Sequence, residues 1–166
     1  MHCSQAIFFG SCPSEVIKLD LSRAAGRLSR RFAPQVRVLN YSGSGIETTF
    51  TQGEDACLAS LVPELPSAPD DAPPSLMVVG ALADVVEDQL RRQFDAIGID
   101  RVAFFPPRRA SDLPEIGRAT RFLLAQPFLA ETARGLEQRG AQRIVAPFPL
   151  GADGTRLWLA EAAACW

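Results

Sequence analysis

The stretch Ala6-Ile-Phe-Phe-Gly-Ser-Cys-Pro-Ser-Glu-Val-Ile17 decides how the rest of the chain is read. An apolar run ends on a glycine and helix-compatible residues follow at once, so a buried strand runs directly into a helix. Pro13 suits the first helical position, where its missing N–H removes nothing, and Glu15 falls at the third. Cys12 is thereby left at the N-cap. That position normally takes Ser, Thr, Asp or Asn, because an oxygen must accept an orphan backbone N–H, and a thiol is a poor substitute unless ionised. The partial positive charge of a helix N-terminus lowers a thiol pKa, which would present Cys12 as a thiolate suited to a metal or to nucleophilic attack. The competing reading is a small residue buried beneath the helix start, as free cysteines often are. Spacing alone leaves both open. A phosphatase-type nucleophilic loop fits less well, since the Cys-x5-Arg pattern is absent and position 18 is Lys18.

Outward from that stretch, short β-branched and aromatic runs alternate with helical periods, the pattern of βαβ units in an α/β protein with a mostly parallel sheet. Strands are predicted at 6–10, 36–40, 76–80, 102–105, 121–125 and 143–146. Val16, Leu19, Ala24 and Leu28 mark one amphipathic helix, and Val86, Leu90, Phe94 and Ile97 mark another. Two more are expected over 128–139 and 155–164. The segment from Pro63 to Pro74 is poor in large apolar residues and rich in proline, which reads as a linker. The expected organisation is a partial lobe over 1–65, a linker over 66–74 and a nearly complete second lobe over 75–166.

At 166 residues, 47% apolar and 22% charged, the chain can bury a sizeable core. Its 17 basic and 19 acidic residues give a net charge of −2 and read as interspersed, without a stripe that could release counterions from a phosphate backbone. Nucleic acid is therefore not an expected partner. The apolar run at 6–9 is far too short to span a bilayer, and the residues before it lack the positive start of a signal peptide, so no membrane span and a cytoplasmic location are expected. The four cysteines, Cys3, Cys12, Cys57 and Cys165, lie at wide, irregular spacings, and none forms a CxxC pair. A disulfide framework is not expected. With His2 the sole histidine, a histidine-rich metal site and a Ser-His-Asp triad are both disfavoured.

Three further motifs have structural and functional readings. Tyr41-Ser-Gly-Ser-Gly-Ile-Glu-Thr48 could open a dinucleotide fingerprint at Gly43 and Gly45, but Thr48 stands where the third glycine belongs, and a tight strand-to-helix turn explains the glycines more simply. No P-loop pattern occurs. Thr48-Thr-Phe-Thr-Gln-Gly-Glu-Asp55 could line an interface, while the plainer account is a helix capped by Thr51 with Glu54 three residues on. Phe8, Phe9, Phe104 and Phe105 lie in strand runs, which makes them core rather than a slot for a planar ligand.

Four stretches together carry a resemblance: Phe9-Gly-Ser-Cys-Pro-Ser-Glu-Val-Ile-Lys-Leu-Asp20, Ser42 to Asp55, Ala125-Gln-Pro-Phe-Leu129, and Ala146-Pro-Phe-Pro-Leu-Gly-Ala-Asp-Gly-Thr155. In this order and across essentially the whole chain, they resemble the subunit N family of light-independent protochlorophyllide reductases, related to nitrogenase component 1. The resemblance implies Rossmann-like three-layer lobes, of which this chain covers the later part of one and most of the next. It implies an internal fragment lacking the upstream cysteines. It further implies an N2B2 heterotetramer with a companion B component, a 4Fe-4S cluster at each N–B junction, and Cys12 as the third of the cysteines that subunit N supplies to it. A transient ATP-hydrolysing iron–sulfur protein, subunit L, would deliver electrons, and protochlorophyllide would be reduced at its ring-D double bond in (bacterio)chlorophyll biosynthesis. No catalytic proton donor is assignable on this chain. A non-catalytic nitrogenase-related scaffold for cofactor assembly is the alternative from another class, and a small-molecule binding domain with no metal role for Cys12 is the third.

Overall fold

The computed structural model describes residues 4–9, 13, 16–41 and 49–166. The chain divides into two compact units, Met1–Leu61 and Val62–Trp166.

In the first unit, β1 (Ser4–Phe9) and β2 (Val36–Tyr41) pair in parallel, with Ser4 opposite Val36 and Phe9 opposite Tyr41. Parallel strands need a crossover, and α1 (Leu21–Phe32) supplies it. This helix starts later than the apolar spacing predicts. Asp20 caps it by accepting the Arg23 N–H at 2.8 Å, while Lys18, at φ 52°, turns the chain out of any helical path before it. Val16 and Leu19 consequently lie outside α1 and are 73% and 56% exposed, so the expected apolar face through them does not form. Ala25 and Ser29 are the buried pair instead. The Ser29 hydroxyl donates to the Val38 carbonyl and accepts the Val38 N–H, both at 2.8 Å. One buried side chain thereby satisfies two backbone groups of β2 that would each cost about 1–3 kcal/mol if left unpaired.

The second helix of this unit is α2 (Phe50–Leu61). Its cap is Thr49 rather than Thr51: the Thr49 hydroxyl accepts the Gln52 N–H at 3.3 Å and the Gln52 side chain accepts the Thr49 N–H at 2.9 Å. The helix begins two residues before the Thr51–Glu54 spacing implies, which leaves Thr51 inside its first turn. Tyr41 reaches over from β2 and donates to the Gly53 carbonyl at 2.8 Å. A Cβ at Gly53 would lie 2.8 Å from that phenolic oxygen, so the contact needs glycine there.

The second unit holds β3 (Ser75–Val79), α3 (Asp84–Ala96), β4 (Val102–Phe105), β5 (Thr120–Leu124), α4 (Ala130–Gln138), β6 (Gln142–Arg143) and α5 (Gly151–Cys165). Its four strands are all parallel in the order β4-β3-β5-β6. The α/β class with a parallel sheet flanked by helices is thus the observed one. Near-continuous apolar strands are what a sheet covered on both faces requires. Leu76, Val78, Phe104 and Leu123 pack with Leu90 and Phe94 of α3 and with Trp158 and Ala162 of α5. Residues of the opposite parity, Met77, Val79, Phe105 and Phe122, are equally buried. Trp158 is fully buried, meets Phe94 at 5.5 Å between ring centroids, and donates its indole N–H to the Leu124 carbonyl at 3.0 Å. Burial of Phe104 and Phe105 matches their reading as core; the side chains of Phe8 and Phe9 lie outside the described residues.

Several details of the second unit differ from the spacing. Val86 and Ile97 are 42% and 43% exposed, so only Leu90 and Phe94 of that quartet face the core. The last strand is two residues long rather than four, since Val145 is 81% exposed and Pro147 and Pro149 have no N–H for a ladder. The final helix starts at Gly151, four residues earlier than expected. In the proline-rich region, Val62 and Leu65 are buried, and Pro66 and Ala68 exchange backbone hydrogen bonds with Ile116 at 2.9 Å each. Arg139 also donates to the carbonyls of Val62 and Leu65, both at 2.9 Å.

Candidate functional site

The strand-to-helix junction singled out by the sequence is described only in part. Cys12, together with Cys3, lies outside the described residues. Just after it, the Pro13 carbonyl accepts the Ile17 N–H at 3.1 Å. Gly43, Gly45 and Thr48 also lie outside the described residues. The two cysteines that are described sit apart in the sequence and in different units: Cys57 in α2 and Cys165 at the end of α5, each half-buried and free. Burial first, and the charge of Glu54 second, push the Cys57 thiol up from its ordinary value. The same desolvation raises Tyr41, with Cys57 a lesser contributor. Among the described residues no group of three His, Cys, Asp or Glu side chains is assembled that could hold a metal. A four-iron cluster takes four ligands, so these residues do not form a donor set for one.

Two of the four resembling stretches do meet. In the second unit a groove of about 450 Å³ runs along the carboxyl ends of β3 and β5, where the strand order reverses, the usual position of a ligand crevice in an open parallel sheet. Leu82, Val85, Val86 and Leu90 line one side, with Ala125 from the first stretch and Pro149 and Thr155 from the other. Its lining is largely apolar. Gln93 also lines it and has a buried Oε1 with no hydrogen-bond partner among the described residues, as does Gln126 beside the groove. Gly80, at φ +143°, lets the Gln126 side chain lie close: a Cβ there would stand 2.8 Å from Gln126 Oε1. At the other end, Gly154 allows the first turn of α5 to press on the preceding loop, since a Cβ would lie 2.7 Å from the Phe148 carbonyl oxygen. Sequence reasoning passed over the glutamines, because an amide side chain has no spacing signature.

It also passed over an ion-pair cluster at the start of α3. Arg108 contacts Glu87 at 2.7 Å, Asp88 at 2.6 Å and Asp84 at 3.3 Å. Its hydrogen bond to Asp88, then that to Glu87 and the charges of Asp84 and Asp88, raise the guanidinium pKa against a desolvation effect of opposite sign. Glu87 is 4% exposed, so the pair ties the loop after β4 to the helix after β3. Nothing in a linear reading links positions 21 apart across two loops.

No helix among the described residues is long and apolar enough to cross a membrane. The family model for nitrogenase component 1 type oxidoreductases matches residues 5–166. Among curated proteins, the chain is 77% identical over 154 residues to the light-independent protochlorophyllide reductase subunit N of Bradyrhizobium sp. strain BTAi1. It is 71% identical over 154 residues to that of Rhodopseudomonas palustris strain TIE-1, and 69% identical over 150 residues to that of Rubrivivax gelatinosus. The first two matches cover 93% of this chain and the third 90%, but they take in only 36%, 36% and 34% of those relatives' lengths. The chain thus spans about a third of the curated relatives it matches, all three of which carry the name of a reductase subunit and none that of an assembly scaffold. With the family model covering nearly every residue, this chain belongs to the nitrogenase component 1 type oxidoreductases.

Proposed function

We propose that this chain is part of subunit N of a light-independent protochlorophyllide reductase, an iron–sulfur enzyme of (bacterio)chlorophyll biosynthesis acting in the cytoplasm. The observation that carries this reading is 77% identity across 93% of the chain to a protein of that name. The four stretches from Phe9 to Thr155 support it, because each alone is common and their ordered combination is not. In the whole assembly, an N2B2 heterotetramer with the B component, the ring-D double bond of protochlorophyllide takes up two electrons and two protons to give chlorophyllide. Subunit L, which hydrolyses ATP, brings the electrons. A 4Fe-4S cluster relays them when bound, and the protein's part is to hold it, exclude water and set its potential.

On this chain Cys12 is the proposed ligand. Its position in the sequence, between an apolar run and Pro13, is where the residues predict a helix start, whose positive end would favour the thiolate that iron binding needs and a cluster's negative charge. The remaining ligands come from the rest of subunit N and from the B component. Residues 1–65 and 75–166 are proposed as parts of two Rossmann-like lobes of that subunit, joined through 66–74.

The test is Cys12→Ser in the full-length N–B complex, read as iron per heterotetramer and as chlorophyllide formed. Loss of most of the cluster iron together with loss of reduction is expected. Unchanged iron and unchanged turnover would leave Cys12 without a metal role and sink the assignment. The chain by itself is expected neither to hold an intact cluster nor to turn over substrate; a stable four-iron absorbance after reconstitution of the chain alone would contradict that.

A further inference from the structure

The first turns of α3 present two faces with different neighbours. At about 3.6 residues per turn, Asp84, Glu87, Asp88 and Arg91 fall on one face, and Val85, Val86, Gln89 and Gln93 fall on the opposite one. The first face is tied to β4 and to the loop that follows it. Arg108, in that loop, meets all three carboxylates and also donates to the Asp84 carbonyl at 2.6 Å. Arg91 reaches the other way, donating to the Val102 carbonyl at 3.0 Å and lying over the Phe104 ring at 4.5 Å. The N-cap of α3 is Ala83, which has no side-chain oxygen to accept a backbone N–H, so the anchorage of this helix end falls to Arg108. The second face lines the groove of about 450 Å³, where Val85 is 71% exposed. Apolar side chains along a cleft gain by closing it, because closure removes their surface from water. The arginine contacts act on the far side of the helix, toward β4, and oppose that collapse.

We propose that Arg108 is a positioning residue: it holds the first turn of α3 back toward β4 and so sets the width of the groove that takes the edge of the enzyme's tetrapyrrole. The occupant rests on the function proposed above. The groove wall facing α3 includes Ala125, Pro149 and Thr155, which belong to two of the stretches that carry the family resemblance, and the largely apolar lining suits a flat macrocycle. Arginine is the side chain for this task. Its planar fork meets several carboxylates at once in fixed directions, whereas a lysine ammonium is one point charge on a flexible stem. Glu87 makes the hold durable, since it is buried and a shielded ion pair is screened by salt far less than an exposed one. The helix between the two faces moves as a rod, so a displacement on the carboxylate face is passed to the groove.

The experiment uses the full-length N–B complex, wild type and with Arg108→Lys or Arg108→Gln/Glu87→Gln; the double variant leaves no buried carboxylate without its partner. Iron per heterotetramer, the Kd for protochlorophyllide, KM and kcat are measured. Beside them, hydrogen exchange is followed at the Val86 and Glu87 amides, both of which bond to the Ala83 carbonyl in the first turn. In the double variant that exchange, the Kd and the KM should each rise about tenfold, with iron content and kcat at saturating pigment within about twofold of wild type. Arg108→Lys should fall between the two. A purely structural role would lower iron content or assembly and leave the Kd of assembled complexes at its wild-type value, and that result would overturn the proposal. Faster exchange with Kd and KM unmoved would overturn it as well, because the first turn of α3 would then be no wall of the pigment's site. A wild-type complex that neither binds nor reduces protochlorophyllide would count against the proposed function instead, and unchanged exchange in the double variant would still dismiss the hold on α3.

Discussion

Cys57 shows how little a cysteine's chemistry follows from its name. In α2 it is half-buried, with Glu54 one turn away, and both influences favour the neutral thiol. A folded-state pKa above the ordinary value of 9.0 means that this group's contribution to stability is complete below that value and is lost as pH climbs through the folded pKa. Tyr41 is shifted in the same sense, so the loss compounds at alkaline pH. The expected outcome is that Cys57 in the folded protein reacts with iodoacetamide several-fold more slowly at pH 8–9 than in urea, and that the urea midpoint falls as pH rises above about 9. Labelling followed by mass spectrometry decides the first part; equal rates in the folded and unfolded chain would refute it. The environment proposed for Cys12 acts in the opposite direction, because a helix N-terminus stabilises a thiolate.

Among the helices, the lesson lies at the ends rather than in the middles. Apolar spacing located Leu90 and Phe94 because a core contact every turn leaves a periodic trace. The first turn leaves a weaker one, since any of several hydroxyl residues in a row can supply the oxygen. In Thr48-Thr-Phe-Thr-Gln-Gly-Glu-Asp55 three threonines compete, and backbone direction, not composition, selects Thr49 with Gln52. Thr49→Ala should therefore lower unfolding free energy by about 1 kcal/mol, the usual cost of a lost cap, whereas Thr51→Ala should change it by less than half of that. Urea denaturation of the two variants separates them, and the reverse order would show that the helix begins where the Thr51–Glu54 spacing suggested. Asp20 caps α1 in the same way, and the acceptance of the Arg23 N–H fixes a start that the apolar face at Val16 and Leu19 had placed too early.

For the molecule as a whole, the second unit has what an independent domain needs. Its parallel sheet has both faces buried within Val62–Trp166, with Leu76, Phe94 and Trp158 packed on one face and Met77, Val79, Phe105 and Phe122 buried on the other. The turn at 62–65 belongs to it through Arg139. Among the described residues the first unit has one pair of strands, below the number that usually stands alone in water. A polypeptide of residues 62–166 should thus fold cooperatively, with the near-ultraviolet circular dichroism of a rigid, fully buried Trp158 and a single urea transition. A polypeptide of residues 1–61 should not. A flat near-ultraviolet spectrum from the 62–166 polypeptide would refute the first expectation.

The strand positions, the parallel α/β class and the burial of Phe104 and Phe105 were legible in the residues alone, because burial on both faces of a sheet imposes unbroken apolar runs that survive in one dimension. Family membership was legible too, since ordered motifs are a property of the chain and not of its shape. What needed the tertiary structure was everything set by residues that meet from a distance. The Arg108 cluster, the pairing of the 125–129 and 146–155 stretches across one groove, and the bonding of Pro66 and Ala68 to Ile116 are of this kind. Their physical cause is common: hydrogen bonds and charges act through space over a few ångströms, and only the folded backbone says which side chains stand that close.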